Sequence, residues 1–147
     1  MKPFYLLTVI STLLFTLSAY AQQPEVFQKK GYAIDGYDVV SYFTENKPIK
    51  GDSTLVIEWK NAKWLFSTPN NLELFKKEPE KYAPQYGGYC AYGCSRGYKA
   101  PTMFDAYSIV NGKLYFNYNI DVRVIWNKDQ ENFIKKADLN WVKIDKK

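Results

Sequence analysis

The dipeptide Asn111-Gly112 constrains the fold of this chain more than any other local feature. It stands between two arms, residues 107–110 and 113–117, that are rich in β-branched and aromatic side chains. A two-residue loop joins twisted antiparallel strands best as a type I′ turn, which needs positive φ at both central positions. Asn-Gly meets that need with little steric cost, so the spacing predicts a tight hairpin.

A second hairpin is expected upstream. Residues 54–59 are β-branched and apolar, 60–63 read as a turn, and 64–66 return as its second strand. Ser67-Thr-Pro-Asn70 then starts a helix, with Thr68 as N-cap and Pro69 in the first helical position. Leu72, Leu74 and Phe75 supply its apolar face, and Pro79 ends that helix or begins another. Asp35-Gly36 marks a turn. Asp38 is placed to cap a short helix over 39–43, whose Val39, Val40, Tyr42 and Phe43 point inward. Residues 89–95 are expected as a short helix with Gly97 near its end. Residues 121–127 and 129–142 read as two more helices, the second with Phe133, Ile134, Ala137 and Trp141 at helical spacing. There is no internal repeat, low-complexity tract or second domain. These elements predict a small α+β domain, an antiparallel sheet of hairpins with helices packed on it.

The N-terminus has the build of a secretory signal over residues 1–21. Lys2 supplies the positive end, 4–17 are apolar, and Ala19-Tyr-Ala21 fits the cleavage rule. The apolar stretch is short for a membrane span, which takes about 20 residues. Cleavage after Ala21 would leave an arm or linker over 22–30, a domain over 31–142 and a solvated tail over 143–147. The expected product is periplasmic or secreted, with no stable membrane insertion. The formal net charge of +5 is scattered, without the dense Arg/Lys stripe that a nucleic-acid partner calls for. Aromatic residues make up 18% of the chain. Their first use is core packing, including Trp59, Trp64, Trp126 and Trp141, though a platform for a sugar or an apolar ligand is also open to them.

The chain has two cysteines, Cys90 and Cys94, and no histidine. On a regular helix this i, i+4 spacing holds Cβ atoms roughly 5–6 Å apart. A disulfide wants about 3.5–4.5 Å, so a straight helix disfavours the bridge, although Gly88 and Gly93 could relax it. Two thiolates at this spacing can instead converge on one ion, and soft thiolates favour Cu(I). Zinc would want four ligands, so Asp35 or Asp38 would have to join. Met103 is a candidate third soft ligand. Tyr89 and Tyr92 would wall the site, with Asp35 and Asp38 behind it. A helix N-terminus beside Cys90, with Arg96 nearby, would favour the thiolate. Three fates stay open for the pair: a structural role, a soft-metal site or a thiol–disulfide couple. Without histidine, serine or cysteine hydrolase chemistry lacks its usual base. An Asp35/Asp38 acid–base pair competes with turn and capping roles for both residues. The reading is therefore of a binding protein for a metal ion or small molecule rather than an enzyme.

Five stretches carry a resemblance. They are Ala33-Ile-Asp-Gly-Tyr-Asp-Val-Val-Ser-Tyr-Phe43, Trp64-Leu-Phe-Ser-Thr-Pro-Asn-Asn-Leu-Glu-Leu-Phe75, Pro79-Glu-Lys-Tyr-Ala-Pro-Gln-Tyr-Gly-Gly-Tyr-Cys-Ala-Tyr92, and Gly112-Lys-Leu-Tyr-Phe-Asn-Tyr118 with Ala137-Asp-Leu-Asn-Trp141. The chain resembles secreted bacterial YHS-domain proteins. The resemblance implies a metal-handling role, copper included. In the wider family, cysteines accompany the strand and the helix after it. Here those positions read Phe66-Ser-Thr-Pro-Asn-Asn71, and the histidine of the family name is absent. Metal ligation could transfer only to the thiols this chain has, Cys90 most directly.

Overall fold

Asn111 and Gly112 take φ values of 52° and 72°, the pair of left-handed residues that the type I′ turn requires. They join β5 (Tyr107–Val110) to β6 (Lys113–Phe116) in a two-stranded sheet of its own. The computed structural model describes residues 22–145, so the expected signal over 1–21 lies outside the described residues.

The other sheet has four strands: β1 (Gln28–Lys29), β2 (Tyr32–Ala33), β3 (Asp52–Trp59) and β4 (Ala62–Phe66), in the order β1-β2-β4-β3. The α+β class is as expected, with one difference inside the sheet. β2 runs parallel to β4, with Tyr32 opposite Lys63. The chain leaves β2, passes through residues 34–51 and β3, and returns beside β2 in the same direction. The β3–β4 loop is also tighter than the composition suggested. Lys60 and Asn61, at φ 50° and 55°, make the whole turn, so Ala62 and Lys63 pair with Trp59 and Glu58.

Local chemistry explains where the helices begin. Asp38 Oδ1 accepts the N–H groups of Val40 at 2.9 Å and Ser41 at 3.3 Å, at the start of α1 (Ser41–Thr44). Thr68 Oγ1 accepts Asn71 N–H at 3.1 Å over α2 (Pro69–Lys77), with proline in the first turn. Pro79 opens α3 (Pro79–Tyr82). The remaining helices are α4 (Ala91–Ser95), α5 (Ile120–Asn127), whose cap Asn119 accepts Val122 N–H at 2.9 Å, and α6 (Gln130–Ile144). α6 takes in Lys143 and Ile144, the first residues of the expected tail, and the Asp145 carbonyl accepts Gln22 Nε2 at 3.1 Å. Among the described residues no helix is long and apolar enough to cross a membrane.

β6 divides the interior in two through the alternation of its side chains. Leu114 and Phe116 enter a core with Val39, Tyr42, Phe66 and Phe75. Tyr115 points the other way, into a second core with Tyr86, Tyr89, Cys94, Trp126 and Ala137. α6 closes that second core with Ala137, Phe133, Ile134 and Trp141, the residues its periodicity singled out. Both cysteines are therefore set where the C-terminal helices meet the hairpin.

Candidate functional site

Cys90 is the N-cap of α4, and its sulfur replaces the oxygen usual at that position. Gly93 N–H donates to Sγ at 3.4 Å and Tyr118 N–H donates at 3.2 Å. The thiol in turn faces Asn117 Oδ1 at 3.7 Å, which also accepts Tyr92 N–H at 3.1 Å. The backbone is pinned as well: Cys90 N–H donates to Ala100 O at 3.0 Å, and Cys90 bridges to Phe116 at the end of β6. Asn117 is fully buried, and its Nδ2 has no partner among the described residues.

Cys94 lies one turn on, its N–H donating to Cys90 O at 2.9 Å. Both thiols are free. Cys90 is 2% exposed and Cys94 is 0% exposed. Burial raises the Cys90 pKa, against the opposing pull of the Gly93, Tyr118 and Tyr92 N–H groups. Burial pushes Cys94 up to about 12; Cys90 adds to the rise and Lys99 works against it. The expectation of a readily ionised thiol at a helix N-terminus is thus overturned. The dipole of a five-residue helix does not offset removal of the sulfur from water.

The other expected site residues fall into three places. Tyr89 and Tyr92 stay near the pair. Tyr89 shares the second core with Cys94 and donates its hydroxyl to Pro24 O at 2.8 Å, while the Tyr92 ring packs on Phe133 at 5.2 Å. Arg96 is exposed at the opposite end of α4, and the cation acting on Cys94 is Lys99. Asp35 and Met103 do come together, but in a small recess of about 50 Å³ with Phe27 and Ile34, which neither cysteine lines. Asp38 is fully buried in a network of its own: Oδ2 accepts Ser67 N–H at 2.9 Å, Ser67 Oγ at 2.6 Å and Asn71 Nδ2 at 2.7 Å. Ser67 and Asn71, in the stretch where the resemblance leads one to look for ligands, are consumed by this carboxylate.

Sequence reasoning missed Asn117, the Tyr118 N–H and Lys99. Asn117 and Tyr118 directly follow β6, and only the pairing of Cys90 with Phe116 brings them to the sulfur. The Lys99 side chain is 3% exposed and bonds Gln23 O and Pro24 O at 3.2 Å each, over the rings of Tyr89 and Trp141. No local signal marks it. The tryptophans also divide: Trp64 and Trp126 are core, while Trp59 and Trp141 are only partly buried.

As a donor set, the pair offers two soft sulfurs. Among the described residues no group of three or more His, Cys, Asp or Glu is gathered to hold a metal ion. That fails the four-ligand requirement of structural zinc. No curated protein and no solved structure matches the chain. One family profile does: residues 40–86 are a YHS domain, which ends at Tyr86, just short of Cys90.

Proposed function

We propose that this YHS-domain protein binds one Cu(I) ion through Cys90 and Cys94, and that it does so outside the cytoplasm after export. The observation that carries the reading is the pair of backbone N–H groups directed at Cys90 Sγ. Such donors favour a thiolate or a metal-bound sulfur over a neutral thiol. Cys94, one turn on, is the second soft ligand. Once both thiols are ionised, a bound Cu⁺ would lower the cost of their burial by leaving a single net negative charge. Two bare thiolates would leave two. Bound there, copper would be held in a thiolate-rich, dry environment suited to storage or transfer of the reduced ion.

The test is an anaerobic Cu(I) titration against a chromophoric chelator, with Zn(II) run in parallel. One Cu(I) per chain is expected, weakened by at least about 100-fold in Cys90→Ser and in Cys94→Ser. Met103→Leu should leave the affinity unchanged, since Met103 lines a different recess. Stoichiometric Cu(I) binding by the double serine variant would defeat the reading.

A further inference from the structure

A cleft of about 240 Å³ opens between the N-terminal arm, the tip of the β3–β4 hairpin, α3 and α6. Neither cysteine lines it. Its walls include the rings of Trp59, Tyr86 and Trp141, and its carboxylates are Glu25, Glu80 and Asp138. These groups come from segments far apart in the chain, so the cleft exists only in the folded protein.

One cation lines it, and its setting shows what chemistry the cleft accepts. Lys60 Nζ lies 2.8 Å from Glu25 Oε1, 3.5 Å from Glu80 Oε1 and 4.8 Å from the centre of the Trp59 ring. An ammonium held between two carboxylates on an indole face is the arrangement by which proteins recognise organic cations. Asp138 is placed differently. It accepts the Tyr86 hydroxyl at 2.8 Å, a neutral donor, and has no salt-bridge partner among the described residues. Among the lining side chains, three carboxylates against one ammonium leave two negative charges in excess, beside a second indole, Trp141, whose ring Lys99 Nζ also approaches at 5.2 Å.

We propose that this cleft binds a short aliphatic diamine. One ammonium sits at Asp138 beside Trp141. The other joins or replaces the Lys60 ammonium between Glu25 and Glu80. The methylene chain lies along the aromatic walls. A dication matches the excess charge and an anion is repelled.

The probe is 1,4-diaminobutane, with 1,4-butanediol as its neutral counterpart, measured by calorimetry at low ionic strength and by the indole N–H signals in NMR. Saturable heat is expected for the diamine. The Trp59 and Trp141 signals should move, while Trp126, in the second core, should not. Asp138→Asn keeps an acceptor for Tyr86 and removes only charge; it should weaken binding about tenfold. Lys60→Gln removes the internal competitor and should tighten it. The proposal is overturned if neither the wild type nor Lys60→Gln binds the diamine saturably. It is equally overturned if butanediol binds as well, or if Asp138→Asn binds as the wild type does.

Discussion

Ser67 donates its hydroxyl to Asp38 Oδ2 at 2.6 Å across 29 residues of sequence. This bond ties the loop before α1 to the end of β4. The same carboxylate also takes Ser67 N–H, Asn71 Nδ2 and the N–H groups of Val40 and Ser41. Each buried donor left unsatisfied costs about 1–3 kcal/mol. Asp38→Ala is therefore expected to lose at least about 3 kcal/mol, and Ser67→Ala about 1 kcal/mol, because the Ser67 backbone donor remains. Urea denaturation at constant slope reads both. An Asp38→Ala midpoint close to that of Ser67→Ala would show that the network is not the hub described.

Burial makes both thiols slow nucleophiles. At pH 7.5 the native protein should react with iodoacetamide about two orders of magnitude more slowly than the denatured chain, which should titrate as two thiols. A thiolate that reacts rapidly in the native state would point to a redox couple instead.

The alkaline limb of stability follows from the same burial. A thiol whose folded pKa lies above its ordinary 9.0 contributes stability that is present below pH 9. That contribution is lost as pH rises toward the folded value, about 12 for Cys94. Tyr42, Tyr86 and Tyr89 are also raised by burial and act in the same sense from pH 10 upward. Between pH 9 and 10 the thiols should therefore dominate. The loss expected from Cys94 at pH 10 is about 1 kcal/mol, with Cys90 adding in the same direction, and Cys94→Ala should flatten the slope of midpoint against pH. An equal slope in that variant would contradict the assignment.

Copper binding should carry a proton signature. Both thiols are neutral at pH 7, so a two-thiolate Cu(I) site must release about two protons per ion. The dissociation constant, corrected for the chelator, should fall about 100-fold per pH unit between pH 6.5 and 7.5. A pH-independent affinity would mean that the ligands are not these thiols.

Much of the fold was legible because it is written in local chemistry. Asn111-Gly112, the Thr68-Pro69 helix start, the Asp38 cap and the spacing along α6 each act within a few residues, where sequence determines geometry. The rest depends on contacts across the chain. Nothing near Tyr32 signals its parallel pairing with Lys63, and nothing near Asp38 names Ser67 and Asn71 as partners. The candidate site divides the same way. The closeness of Cys90 to a helix start was readable, but its place as the cap and the sign of its pKa shift were not. That sign is set by the burial of the sulfur, which depends on contacts from distant parts of the chain.

Gly87 tests how the N-terminal arm is held. Its φ is +61°, and a Cβ built there would lie 1.8 Å from the Glu25 carbonyl oxygen, a backbone atom that cannot move without undocking the arm. The arm is fastened at the same point, where Phe27 N–H donates to Gly87 O at 2.8 Å. Gly112 has a similar φ of +72° but open space around it. Gly112→Ala should cost only the backbone term, about 1 kcal/mol. Gly87→Ala should cost clearly more, at least about 2 kcal/mol, through displaced backbone and lost burial of Val26. It should also expose residues 22–27 to limited proteolysis and disturb the Glu25 side of the diamine cleft. Equal losses in the two variants, with the arm still protected, would show that the close approach at Glu25 is not what fixes the arm.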